Sequence, residues 1–202
     1  MAPPDFTNKT LFPSFATCPS IDTDTPITTP VPDEDWYLLG QIKDDMTLTK
    51  PTLVLSDRDG APFALVFDGL DRGALDFKRL GLRKGCTAII PRARRTVPKE
   101  EGKRGFVRVE LGDAGGVKGI PGELGVVIEV VRRMREGKGE GEGVCGTCGM
   151  GEGEGEGGRL LRCTGCDGGA RYCGKECQVK GWNEGGHKAE CKIIKAVGAI
   201  WG

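Results

Sequence analysis

The sequence has little with which to build one extended core. Of its 202 residues only 38% are hydrophobic and 6% aromatic, and there is a single histidine. No apolar run approaches the ~20 residues that span a bilayer, and the opening Met1-Ala-Pro-Pro-Asp-Phe6 has neither the basic flank nor the apolar stretch of a leader. The chain therefore reads as intracellular, in the nucleus or the cytoplasm. Net charge is also missing: 29 basic residues balance 29 acidic ones, so no overall field draws the protein to nucleic acid or to an anionic membrane. The balance is not local. Residues 1–80 carry 7 basic and 13 acidic side chains, whereas residues 81–110 carry 9 basic and 3 acidic, which places any polyanion site in the second segment.

Large side chains are scarcest between 137 and 186, a stretch holding 18 of the 34 glycines. Burial cannot hold such a segment together. Seven of the nine cysteines and the only histidine lie between 145 and 191, where the core is thinnest. In a reducing compartment, cysteines grouped as C-x-x-C pairs point to metal rather than to disulfides. Cys18 and Cys86 stand apart and read as a loop thiol and a small strand hydrophobe.

Three further segments follow from pattern. Residues 1–35 hold 7 of the 12 prolines with no sustained period, and read as a mobile Pro/Thr-rich tail in which Phe6, Leu11, Phe12 and Phe15 are docking anchors. Residues 36–135 carry short β-rich runs. These are Trp36–Lys43, a hairpin of Thr52–Ser56 and Ala61–Phe67 around Asp57-Arg-Asp-Gly60, then Cys86–Arg92, Gly105–Leu111 and Val126–Val131, with a short helix at Gly73–Leu80. Strand, hairpin, helix, strand, strand is the order of the OB-fold. The expected class is thus α+β: a small, mostly antiparallel OB-like β-barrel, with another small β-barrel as the alternative, followed by a metal-built module. Residues 136–144, rich in glycine and glutamate, read as a flexible linker, and 192–202 as an amphipathic helical extension.

The constellation itself is Cys145-x2-Cys148-x14-Cys163-x2-Cys166-x6-Cys173-x3-Cys177-x9-His187-x3-Cys191. Eight ligands make two complete tetrahedral sets for structural zinc, with Zn–S near ~2.3 Å. The two C-x-x-C turns read as knuckles. Cys173/Cys177 and His187/Cys191, each spaced i, i+4, read as pairs on one helix face. A redox dithiol would require a surrounding βαβ pattern, which is missing.

Tyr172-Cys173, Cys177-Gln178, Trp182, His187-Lys188 and Cys191, downstream of two C-x-x-C pairs, resemble the MYND-type zinc finger, whose pattern ends in YC-x3-CQ, a tryptophan and HK-x2-C. The resemblance covers 145–191 and implies two zinc ions bound in an interleaved manner. Cys145/Cys148 would pair with Cys173/Cys177, and Cys163/Cys166 with His187/Cys191. It also implies a protein-interaction module for short proline-containing peptides, with Gln178 and Trp182 near the recognition surface. The Glu-Gly insert before Cys163 and the residues Asn183–Gly186 lengthen the loops between ligand pairs, at only ~0.6 kcal/mol per doubling of loop length. The N-terminal module is similar to fungal MYND proteins with a like Trp-Tyr-Leu-Leu-Gly start and Ser-Asp-Arg-Asp-Gly hairpin.

Three functions compete. The first is a non-enzymatic adaptor, and Pro26-Ile-Thr-Thr-Pro30-Val-Pro32 suggests that the finger also binds its own tail. The second is a MYND-containing lysine methyltransferase, which needs a longer chain and an asparagine-histidine-serine motif not found here. The third is single-stranded nucleic-acid binding, with Arg92, Arg94, Arg95, Lys99, Lys103, Arg104 and Arg108 as a groove and Phe63, Phe67 and Phe106 as stacking platforms. With every zinc ligand supplied by protein, no position is left open for catalytic water, so the expectation is a zinc-binding adaptor and not an enzyme.

Overall fold

The computed structural model describes residues 2–21, 35–96, 105–140, 143–154 and 158–202, with the side chains of 137–140 left aside. They form two compact units, Phe6–Val127, and Met1–Asp5 together with Ile128–Gly202.

The first unit is built on one sheet. Its strands are β1 (Ser20–Ile21), β2 (Tyr37–Asp45), β3 (Thr52–Ser56), β4 (Pro62–Phe67), β5 (Thr87–Pro91), β6 (Arg95–Thr96), β7 (Phe106–Val109) and β8 (Lys118–Ile120). They pair in the order β1-β6-β7-β4-β3-β2-β5-β8. Every ladder is antiparallel except β1/β6 and β4/β7. Period-two alternation puts Leu53, Leu55, Phe63, Leu65, Phe67, Val107 and Val109 on one buried face, joined there by Leu38, Ile42 and Ile90. Among the described residues no ladder joins the ends of this order, so the expected barrel is not closed: the structure holds a large, mostly antiparallel sheet.

Two expected elements take other forms. Val126–Val131, anticipated as a strand, belongs to helix α1 (Leu124–Glu140). Val127, Val130 and Val131 are buried at helical spacing while Val126 is exposed, and Arg132 spans Glu129 and Glu136 on the outer face. The start of α1 is fixed from far away in sequence, because the buried Gln41 accepts the Leu124 N–H on its Oε1 at 2.6 Å. Gly73–Leu80 forms turns rather than a helix. Leu75, Phe77 and Leu80 are spent against the sheet core, where the Phe77 ring lies 5.7 Å from that of Phe67.

The tail divides. Residues 22–34, including Pro26–Pro32, lie outside the described residues, but the preceding stretch is docked through its aromatic residues. Phe6 and Phe12 are buried, and Phe15 stacks on Phe63 at 5.0 Å. Asp57 makes this contact specific. Its buried carboxylate accepts the N–H groups of Asp59 and Ala61, which sets the hairpin turn, and that of Phe15 at 2.7 Å.

The second unit contains the rest of α1, the two-stranded ladder of β9 (Leu161–Arg162) and β10 (Arg171–Tyr172), and helices α2 (Lys175–Asn183) and α3 (His187–Trp201). The anticipated linker 136–144 is helical as far as Glu140. The anticipated extension is the body of α3, whose Ile193, Ile194 and Val197 are buried on one stripe with Cys191.

Candidate metal centre

The antiparallel β9/β10 pair is a hairpin whose tip carries Cys163 and Cys166 and whose second strand runs directly into Cys173. The first knuckle is bound to it, because the Gly146 N–H donates to the Arg171 carbonyl at 2.8 Å. Each knuckle closes onto the carbonyl of its first cysteine: the N–H of Gly149, four residues on, returns to Cys145 at 2.9 Å, and that of Gly168, five residues on, to Cys163 at 2.8 Å. Gly149 and Gly168 have φ of 75° and 85°, a left-handed backbone that glycine adopts without a Cβ penalty. The hairpin thus places a sulfur pair at its tip and a third sulfur beyond its end, which separates neighbours in sequence into different sites.

Two sets of ligand atoms result among the described residues, Cys145, Cys148, Cys173 and Cys177 in one, and Cys163, Cys166, His187 and Cys191 in the other. Within each set all four atoms lie within 4.8 Å of one another. A zinc tetrahedron with Zn–S of ~2.3 Å has sulfur–sulfur edges of about 3.8 Å. The Cys148 and Cys173 sulfurs are 3.6 Å apart and those of Cys163 and Cys191 3.9 Å. His187 Nε2 lies 3.7 Å from Cys166 Sγ and 3.3 Å from Cys163 Sγ, the shorter edge that an imidazole nitrogen gives. Both donor sets fit zinc in size, number and softness.

Electrostatics point the same way. In the first set, burial works against the Cys145 thiolate, but backbone donors at Cys148, Cys173 and Thr147 outweigh it and draw the thiol down to about 6. Cys173, hydrogen-bonded to Cys177, Cys148 and Cys145, is pushed up to about 12. In the second set burial first, then Cys163, pushes Cys166 up to about 12, and burial lowers His187. Sulfurs this close cannot all ionise unaided, and a dication removes the conflict. Cys177, in the first turn of α2, and His187 and Cys191, in the first turns of α3, add helix N-termini that favour thiolate.

The helical pairing of the ligands is half as expected. His187 and Cys191 share a face of α3, but Cys173 precedes the Gly174 cap of α2 and only Cys177 is helical. The two sets differ in exposure: all four residues of the second are buried, whereas Cys148 in the first is exposed. Gln178 is half-buried on α2. Trp182, one turn on, is 39% exposed, with its ring edge-on to His187 at 5.8 Å; the Tyr172 ring is also edge-on to that imidazole, at 6.0 Å.

Sequence reasoning missed two supporting residues. A Cβ on Gly165 would lie 2.8 Å from the Cys191 sulfur, so the second knuckle needs a glycine at that position; its place inside a C-x-x-C turn was the available signal. Glu190, beside Cys191, is held by Arg133 of α1 at 2.6 Å, and no local pattern announces that pair.

Two interleaved Cys/His sets sit on this loop–hairpin–helix–helix frame, and the MYND finger model matches residues 145–191. Residues 145–191 are a MYND finger. Two zinc ions are its cofactors, and they supply structural cross-links where apolar side chains are few. MYND fingers generally mediate protein–protein interactions. No curated protein matches the chain. Among solved structures, the chain is similar to that of Schizosaccharomyces pombe Pot1pC bound to ssDNA, with 9% identity and a TM-score of 0.33, over 56% of this chain and 99% of that one. A likeness at that score carries no argument about fold or function.

The residues anticipated for a nucleic-acid groove take several roles among the described residues. Phe63 and Phe67 are core residues, Arg92 pairs with Asp35, and the Arg95 side chain donates to the Cys18 carbonyl. Lys99, Lys103 and Arg104 lie outside the described residues. Arg94 is half-buried, and Arg108 stacks over Phe106 at 5.8 Å. Among the described residues no helix is long and apolar enough to cross a membrane.

Proposed function

We propose that this chain is a non-enzymatic adaptor of the nucleus or cytoplasm whose MYND finger binds a short proline-containing peptide of a partner protein at Gln178 and Trp182. One observation carries the reading. Trp182 is fixed against a zinc ligand yet 39% open to solvent, and it shares an α2 face with Gln178, while the neighbouring Val179 is 51% exposed. A rigid aromatic with an amide one turn away is the arrangement that reads a proline ring and an adjacent carbonyl. Both zinc sets draw four donors from protein, which supports a structural and not a catalytic metal. The test is a screen of proline-containing peptides against the intact zinc-loaded chain. Trp182→Ala should weaken the best ligand at least tenfold while two zinc ions are retained. Unchanged affinity would defeat the assignment of these residues.

A second reading has its own support. The order β7-β4-β3-β2-β5, with β4/β7 as the parallel pair, agrees with an OB-like barrel opened between β5 and β7. On the outer face of β3, β4 and β7, a groove of about 400 Å³ is lined by Val54, Val66, Lys50, Asp68 and the Arg108/Phe106 stack; Asp68 pairs with Lys50 at 2.5 Å and with Arg108 at 3.4 Å, so a single strand would have to take the place of that carboxylate on both cations. Salt-sensitive binding of an oligonucleotide that Phe106→Ala weakens would support it, and no binding at low salt would reject it.

A further inference from the structure

The two ligand sets hold their sulfurs at similar spacing but differ in access to water. Cys148 and Cys173 lie 3.6 Å apart in the first set, and Cys163 and Cys191 3.9 Å apart in the second. Cys148 is exposed and Cys173 half-buried, whereas every residue of the second set is buried. Freedom to move differs in the same sense. Cys148 sits in a turn and Cys173 in a bend ahead of α2, each followed by a glycine at which a Cβ would meet nothing within 4 Å, Gly149 and Gly174. In the second set a Cβ on Gly165 would stand 2.8 Å from Cys191 Sγ, and one on Gly169 2.4 Å from the Ile194 side chain. The second set is walled in by its own chain, and the first opens to solvent.

Zinc holds its cysteines as thiolates, the form that oxidants attack, and access decides which thiolate reacts first. A disulfide requires an S–S distance of ~2.05 Å, so the Cys148 and Cys173 sulfurs have to close by about 1.5 Å. The other two sulfurs of the set are more firmly placed. Cys145 is buried and its N–H is bonded to the Met150 carbonyl at 2.8 Å, while Cys177 is fixed in α2 with its carbonyl bonded to Thr147 Oγ1 at 2.7 Å.

From this asymmetry we propose that the first ligand set is a peroxide-responsive switch, with Cys148 as the reacting sulfur and Cys173 as the resolving one. The Cys148 sulfur attacks one oxygen of hydrogen peroxide: an S–O bond forms, the O–O bond breaks and hydroxide departs. The Cys173 sulfur then attacks the sulfenic sulfur, and the S–S bond forms as the S–O bond breaks and a second hydroxide departs. Two thiolates thereby lose two electrons and the peroxide gains them. Cys145 and Cys177 are left to hold the first ion, two donors where a structural site needs four, and the ion is released. The start of α2 loses its anchor, because Cys177 lies in its first turn, while His187 and Cys191 keep α3 on the second ion. A dithiol returns the two electrons and restores the set, the transient kind of disulfide found in reducing compartments. None of this depends on what binds at Trp182.

The test treats zinc-loaded full-length protein with hydrogen peroxide in the presence of a colorimetric metal indicator. One equivalent of zinc should be released at least ten times faster than the second, and dithiothreitol with added zinc should restore both. Alkylation, digestion and fragmentation mass spectrometry should find Cys148 joined to Cys173, a measurement that requires no variant. Cys148→His keeps four donors of the kind zinc accepts but removes the reacting sulfur, and should slow the first release at least tenfold. Met150, 39% exposed, reports the dose through its sulfoxide. Retention of both ions at a dose that oxidises Met150, loss of both together, a disulfide between other cysteines, or unchanged release from zinc-loaded Cys148→His would each overturn the proposal.

Discussion

Removing zinc should unfold one unit and spare the other, and the size of the effect follows from the structure. The finger-bearing unit has about 80 residues, for which ordinary globular packing leaves a net stability of about 4–12 kcal/mol. Each structural zinc ion contributes an apparent ~10–16 kcal/mol in small fingers, so two ions exceed everything that Ile193, Ile194, Val197 and Leu160 can hold by burial. Dialysis against a strong chelator should therefore melt α2 and α3, of 9 and 15 residues, and lower the far-UV helical signal accordingly. Backbone amides of β2–β5 should keep their exchange protection, since their packing involves no ligand. Release should also be ordered. Cys148 is exposed whereas all four residues of the second set are buried, so a colorimetric metal indicator with limiting chelator should register one fast and one slow ion. Helicity of α2 and α3 that survives in metal-free protein would refute the claim that coordination replaces the core, and simultaneous loss of both ions would refute the ordering.

Other outcomes are equally specific. Gly165→Ala brings a methyl to 2.8 Å from the Cys191 sulfur and should weaken the second zinc at least tenfold in chelator competition, leaving the first unchanged. Asp57→Ala strips an acceptor from three backbone N–H groups and should cost the sheet unit roughly 2–4 kcal/mol, read from hydrogen exchange at Leu53 and Leu65. Burial pushes the Cys18 thiol up to about 12, so in folded zinc-loaded protein at pH 8 an alkylating reagent followed by mass spectrometry should modify the half-buried Cys86 and spare Cys18.

The zinc ligands were legible in the sequence because coordination chemistry fixes residue type and short-range spacing together. Cys145-x2-Cys148 or His187-x3-Cys191 has little other physical meaning in a glycine-rich segment. The grouping into two sets came only through resemblance, since it depends on a β9/β10 hairpin of two-residue strands that carries no periodicity of its own. The hairpin around Asp57 was legible for a related reason, since turn chemistry and alternation agree there. Val126–Val131 differs from expectation because a β-branched run satisfies both a strand and a helix, and what decides is the hydrogen bond that Leu124 N–H donates to Gln41, 83 residues away. The short strands β1, β6 and β8 owe their existence to neighbours already in place, and the docking of Phe6 and Phe12 to a surface the local sequence does not encode.

The crossing of the two metal sites has a consequence for breakage of the chain. A protease cut in the glutamate–glycine segment at 151–154 would sever Cys145 and Cys148 from everything downstream, yet their ion is also held by Cys173 and Cys177 on the other fragment. The nicked molecule would migrate as two pieces under denaturing conditions and as one particle otherwise, with a metal atom, helped by the Gly146–Arg171 and Arg133–Glu190 contacts, in place of the peptide bond.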